Sequence, residues 1–111
     1  MPKHLNDRLQ GTLDLLILKT LARSGPLHGY GMAQLIHQAT EGSLRIEEGS
    51  LYPALQRMRI KGWVDAEWQQ SENNRRARFY KLTPQGRKQL NQELREFERV
   101  MLAIGKVIQP V

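Results

Sequence analysis

The chain has 111 residues, of which 40% are hydrophobic and 25% are charged, as is usual for a globular domain. Its net charge of +6 favours a polyanionic partner, and the absence of cysteine excludes disulfides, thiolate metal sites and thiol nucleophiles. No apolar run approaches the roughly 18 residues that a membrane span needs, so we expect a cytoplasmic protein with no membrane partner.

The first helix is predicted to begin near Thr12 and to end at Ser24, because a Gly-Pro pair follows. Residues 1–10 contain no apolar run and are expected to form a flexible arm. Thr12 is a good N-cap residue, and Asp14 in the first turn interacts favourably with the helix dipole. Leucine and isoleucine occur on several sides of this helix, so we expect it to be buried on more than one side.

A second, shorter helix is predicted over residues 28–39, because Met32, Leu35 and Ile36 share one face. A short connector, 44–46, leads to a third helix. This order of elements is typical of a three-helix DNA-binding domain.

The third helix is predicted to be a DNA recognition helix. Leu51, Leu55 and Met58 fall at i, i+4 and i+7, so they form one apolar stripe that faces the core. The opposite side carries groups that can donate to phosphates or read base edges. The predicted DNA-binding residues on this side are Ser50, Tyr52, Pro53, Gln56 and Arg57. Because proline lacks an N–H, we expect Pro53 in the first turn, with Ser50 as the cap.

Two runs of alternating apolar and polar residues, 64–69 and 78–82, predict a β-hairpin whose loop is rich in turn formers. The cations at or beside its tip are predicted to bind the DNA backbone, as the wing of a winged helix does. They are Arg75, Arg76 and Arg78. Residues 57–81 hold seven cations against three anions, so basic charge is concentrated here. A solvated charged face is the alternative.

A last, long helix is predicted to begin at Pro84, with Thr83 as its cap. Its apolar residues are spaced 4, 3, 4, 3 and 4 apart, as in a coiled-coil seam. These predicted dimerisation residues are Leu90, Leu94, Phe97, Met101, Ile104 and Ile108. Such a helix is roughly 37 Å long at 1.5 Å per residue, so a second copy of the chain is the expected partner. A helix that folds back on its own domain is the alternative.

The residues offer no candidate for catalysis or for cofactor binding. The three histidines match no zinc spacing. The carboxylates of Glu47 and Glu48 do not face each other, because they are adjacent on a helix. We therefore expect no metal, no cofactor and no enzymatic activity.

Five segments, in this order along the chain, carry a family resemblance. They are 13–18 (LDLLIL), 28–32 (HGYGM), 49–55 (GSLYPAL), 61–64 (KGWV) and 79–86 (FYKLTPQG). Together they resemble the PadR family of bacterial transcriptional regulators, over about residues 11–90. The resemblance implies a homodimer that binds a palindromic operator in double-stranded DNA, usually as a repressor, and that a small-molecule effector releases in many members.

The expected fold class is mainly α (α+β), a winged helix-turn-helix with a two-stranded wing and a long C-terminal dimerisation helix. The resemblance is to the short form of the family. The expected parts are the flexible arm at 1–10, the DNA-binding domain at 11–83 and the dimerisation helix at 84–111.

By the resemblance, the start of the third helix approaches DNA through Ser50, Tyr52 and Pro53. The Tyr52 hydroxyl is expected to donate to a phosphate. Tyr30 is expected to support that contact or to line an effector pocket, with a core aromatic as the alternative. Members that bind flat aromatic drugs carry a tryptophan on the last helix, whereas Trp63 and Trp68 belong to the hairpin here.

Two other functions stay open at the level of the sequence. One is a ligand-binding sensor with incidental DNA affinity. The other is a protein-interaction adaptor that uses the seam of the last helix to bind a different protein.

Overall fold

The computed structural model describes residues 12–109, which form four helices and a three-stranded antiparallel sheet. The elements are α1 (Leu13–Ser24), β1 (Leu27–His28), α2 (Gly29–Ala39), α3 (Glu48–Ile60), β2 (Val64–Gln70), β3 (Arg76–Leu82) and α4 (Pro84–Ile108). The predicted arm at 1–10 lies outside the described residues. The predicted mainly α winged helix-turn-helix is confirmed.

Helix α1 lies at the centre of the fold, as its many-sided apolar pattern predicts. Ile17, Leu18 and Leu21 are buried, and the helix packs against α2, β3 and α4. Met32 of α2 and Leu55 of α3 belong to the same apolar cluster. Because burial of apolar side chains stabilises this packing, the orientation of α3 relative to the other elements is fixed.

The hairpin is longer than predicted, and a third strand joins it. β2 and β3 pair along their whole lengths, so only residues 71–75 form the loop. In β1, Leu27 lies opposite Tyr80 and His28 lies opposite Phe79. A two-residue strand carries too little alternation for a sequence pattern to indicate it. Because β1 pairs with β3 and leads directly into α2, it holds the start of α2 beside the wing.

The predicted cap of α3 is wrong by three residues. Glu47 is the N-cap residue, and its carbonyl accepts hydrogen bonds from the N–H groups of Ser50 and Leu51. Pro53 therefore lies inside the helix, beyond the first turn. Its missing N–H leaves the carbonyl of Gly49 without a helical donor, but Gly49 is exposed, so water can satisfy that carbonyl.

Thr83 caps α4, as predicted, and ties this helix to the start of the hairpin. Its hydroxyl oxygen accepts from the N–H of Gly86 at 2.9 Å and lies 2.7 Å from the carbonyl oxygen of Gly62. A Cβ added at Gly86 would lie 1.9 Å from the carbonyl oxygen of Trp63. Only glycine fits this close approach, which sets the direction in which α4 leaves the domain.

Near its start, α4 packs on its own domain. Leu90 is 3% exposed within the core, and the partly buried Leu94 packs against that core. The fold-back alternative therefore describes Leu90, whereas the rest of the predicted seam stays a prediction. From Phe97 onwards the apolar side of the helix is exposed. Within residues 12–109, no helix is long and apolar enough to cross a membrane.

Candidate nucleic-acid interface

The outward face of α3 carries all five residues predicted to bind DNA. Leu51, Ala54, Leu55 and Met58 are buried and hold the opposite face in the core. All five predicted residues are exposed: Ser50, Tyr52, Pro53, Gln56 and Arg57. The predicted direction of the helix face is thus confirmed, although the predicted start of the helix is not.

The two edges of this outward face are held by different helices. Ser50, Pro53 and Arg57 are spaced 3 and 4 apart along one edge, where the Arg57 guanidinium donates to the carboxylate of Asp14 on α1. Tyr52 lies on the other edge, against the start of α2. The sequence alone gave no sign that Asp14 reaches α3, because 43 positions separate the two partners.

Tyr52 occupies a narrow space beside the first residue of α2. Gly29 is buried, and a Cβ added there would lie 2.8 Å from the Tyr52 hydroxyl oxygen. The residue as a whole is nevertheless 44% exposed. Burial of the hydroxyl raises the pKa of Tyr52 above its ordinary value, and the negative charge of Glu48 and the nearby Tyr80 raise it further. The phenol therefore remains protonated at neutral pH and can donate a hydrogen bond to a phosphate.

The start of α2 is capped by a histidine. Nδ1 of His28 accepts a hydrogen bond from the N–H of Gly31 at 3.0 Å. The ring of Phe79 meets the imidazole edge-on at 5.1 Å, and the ring of Tyr30 is stacked 6.4 Å from it. Tyr30 is 67% exposed, so the alternative of a core aromatic is wrong. Tyr30 instead lies on the surface beside Tyr52.

The wing carries a tryptophan that the sequence analysis did not assign to the site. Trp68 is on the core-facing side of β2 but beyond the last core position, and it is 57% exposed. The guanidinium carbons of Arg76 and Arg78 lie 5.4 and 5.9 Å from the centre of its ring. Such cation–π contacts hold both arginines on one side of the wing. Arg75 is exposed in the loop.

These parts enclose an open groove of about 680 Å³ between α2, α3 and the wing. Its lining includes His28, Tyr30, Tyr52, Trp68, Arg76 and Arg78. Arg75 also lines it, so three cations face a single carboxylate, that of Glu72. Within the described part of the chain, Nε of Arg78 is buried without a hydrogen-bond partner. The groove therefore offers guanidinium and hydroxyl donors to an anion.

Two further features of α3 were missed by the sequence analysis. Ile60 is 73% exposed at the end of the outward face, where an apolar side chain can contact a thymine methyl group. Nε of Arg59 lies 3.4 Å from the amide oxygen of Gln56. This long contact orients the Gln56 amide only weakly, so the amide is free to turn towards a base edge.

A separate apolar surface runs along the second half of α4. It contains four members of the predicted seam together with two valines that the heptad pattern did not include. The exposed residues are Phe97, Val100, Met101, Ile104, Val107 and Ile108. This surface lies away from the groove, and it is the part of the seam that its own domain leaves uncovered.

Among residues 12–109, no group of three or more His, Cys, Asp or Glu side chains is arranged to hold a metal ion.

Comparisons of the sequence and of the structure with known proteins point to one family of transcriptional regulators. The family model described as the PadR-like transcriptional regulators matches residues 17–92. A transcriptional regulator of Clostridium thermocellum is 29% identical, with a TM-score of 0.84 over 93% of this chain and 99% of that one. A PadR family transcription regulator of Clostridium difficile is 28% identical, with a TM-score of 0.71 over 86% of this chain and 96% of that one. An uncharacterised protein of Lysinibacillus sphaericus is 27% identical over 86% of each chain.

Proposed function

This chain belongs to the PadR-like family of transcriptional regulators, and we propose that it acts as a homodimeric repressor on a palindromic operator. Members of the family are DNA-binding regulators and not enzymes. A DNA partner also favours the cytoplasm of a bacterial cell as the place where the protein works.

One observation carries the proposal: the outward face of α3 continues into a groove lined by three arginines. α3 enters the major groove, where the Gln56 amide can read a base edge. Ser50, Pro53 and Arg57 lie along the flanking phosphates. Arg75, Arg76 and Arg78 of the wing hold the adjacent backbone, and Tyr52 donates to a phosphate between them.

The exposed apolar surface of α4 supports association of two copies. The six apolar side chains of this surface, on one side of the last three turns of the helix, have no cover within the described residues. Helices with apolar residues at such spacing bury those residues against a second helix. A dimer about a two-fold axis presents two copies of α3 to half-sites about 34 Å apart, which corresponds to a palindromic operator.

An effector site next to Tyr30 is the remaining part of the proposal. Tyr30 is exposed at the edge of the groove that the wing and Tyr52 line. A small molecule held there would occupy the space that a phosphate backbone needs, so its binding and DNA binding would exclude each other.

The proposal is tested by two variants titrated with operator and with unrelated DNA over a salt series. Arg76→Ala removes a phosphate contact, so it weakens binding to all sequences and makes the slope of log K against log salt shallower by about 0.9. Gln56→Ala removes a base contact, so it weakens operator binding by about 1–3 kcal/mol and leaves unrelated DNA unaffected.

Arg95→Ala is the matched control, because Arg95 is exposed on α4 away from both the groove and the apolar surface. It is expected to bind as the unchanged protein does. The assignment of roles is contradicted if Arg76→Ala and Gln56→Ala have the same effect on the two DNAs.

A further inference from the structure

The ion pair between α1 and α3 affects a residue that the proposed function assigns to DNA. The Arg57 guanidinium donates through Nη2 to Oδ1 of Asp14. The two side chains are 47% and 25% exposed, so both can be reached from solvent. Asp14 lies in the first turn of α1, where the helix dipole stabilises a negative charge.

A carboxylate and a phosphate offer a guanidinium the same kind of acceptor, two anionic oxygens in one plane. The oxygen that Asp14 gives to Arg57 therefore stands in for a phosphate oxygen of DNA. A phosphate that reaches Arg57 must displace the carboxylate, which then stays nearby as a like charge. Asp14 thus opposes the proposed contact between Arg57 and a DNA phosphate.

Unrelated DNA and an operator both present phosphates to the start of α3. In either complex a phosphate that binds Arg57 must first break the ion pair with Asp14, so the free energy of that pair is subtracted from the free energy of DNA binding.

We propose that Asp14 lowers the affinity of this chain for DNA by competing with phosphates for Arg57. The inference rests on the proposed placement of α3 against DNA. It assigns a DNA-binding role to a residue that does not itself contact DNA, and it explains why a carboxylate lies beside a cation of the recognition helix.

The test uses the full chain and a random-sequence duplex labelled for fluorescence anisotropy, at several salt concentrations. Asp14→Asn keeps the shape of the side chain and removes its charge. It is expected to tighten binding about two- to fivefold, the range of an exposed ion pair, and to steepen the salt slope by about 0.9. Asp65→Asn is the matched control for net charge, because Asp65 is exposed on β2; its gain is expected to be smaller.

Arg57→Ala in the Asp14→Asn background separates the inference from the proposed function. The inference is supported if this second change abolishes the gain. A different result would refute the inference alone: Arg57→Ala weakens DNA binding in the Asp14→Asn background, but Asp14→Asn by itself raises the affinity no more than Asp65→Asn does. In that case Arg57 contacts DNA, but Asp14 does not compete with phosphates for it. If Arg57→Ala has no effect in either background, the placement of Arg57 against DNA fails, and the inference fails with it. Thermal melts of each variant check that the fold is retained.

Discussion

A methyl group added at Gly29 is expected to weaken DNA binding without weakening the fold. The added Cβ would lie 2.8 Å from the Tyr52 hydroxyl oxygen and 2.9 and 3.0 Å from two ring carbons. Ordinary contacts begin at 3.4 Å, so the hydroxyl must move by about 0.6 Å, the difference between 3.4 and 2.8 Å. The ring can move because it is a side chain with an exposed edge, whereas the backbone of α2 is fixed by β1.

The size of the effect follows from what Tyr52 is proposed to do. Loss of one hydrogen bond to a charged phosphate costs about 1.5–3 kcal/mol, so Gly29→Ala should bind DNA more weakly by about tenfold or more. Stability should change little, because Gly29 is the first residue of α2 and the Tyr52 side chain can move towards solvent. The assays are anisotropy titration with DNA and thermal unfolding followed by circular dichroism.

A double-mutant cycle provides the control. Tyr52→Phe removes the hydroxyl, so adding Gly29→Ala to it should produce little further loss of affinity. The reasoning is refuted if Gly29→Ala binds DNA as well as the unchanged protein does, or if its effect is the same with and without the Tyr52 hydroxyl.

Four further predictions concern stability, the wing, association and pH. Gly86→Ala forces a Cβ to within 1.9 Å of a backbone oxygen, so it should lower the free energy of unfolding by about 3 kcal/mol or more; an unchanged urea midpoint would contradict this. Trp68→Ala removes the ring beneath two guanidiniums, so it should weaken binding to operator and unrelated DNA alike, and an effect on operator alone would argue against a backbone role. Met101→Glu places a charge in the apolar surface of α4, so sedimentation should show monomers; persistence of a dimer would exclude this surface as the interface. The Tyr52 pKa is raised in the folded state, so the stability that the protonated Tyr52 phenol contributes should be fully present below about pH 10 and be lost as the pH rises through the folded pKa. Ultraviolet titration should show a phenol that ionises above the ordinary range, and this phenol should be missing from the titration of Tyr52→Phe.

The face of α3 that points outward was predictable, because the spacing of apolar residues within the helix itself determines it. Leu51, Leu55 and Met58 mark one face by their spacing alone, and the outward residues follow from geometry. The start of the helix was not predictable in the same way. The rule that places proline in a first turn favoured Ser50 as the cap, whereas the carbonyl of Glu47 accepts the first helical hydrogen bonds and Pro53 is tolerated inside the helix.

Contacts between distant parts of the chain account for the other differences. A heptad pattern does not indicate whether its apolar side chains pack against the same chain or against a partner. Leu90 packs in the core of its own domain. Alternation places Trp68 on the correct face of β2 but does not say where the core ends. The pairing of Asp14 with Arg57 depends on how α1 crosses α3, which no spacing within either helix reveals.

The most direct test of the central claim is selection of binding sites from a random-sequence duplex library by the purified chain, followed by titration of the selected site at near-physiological salt. A sequence-specific dimeric regulator should enrich a motif with two-fold symmetry, bound about a thousandfold or more tightly than unselected DNA. Enrichment of no motif, with equal and strongly salt-dependent binding to every duplex, would contradict the account and leave only non-specific affinity from the basic wing.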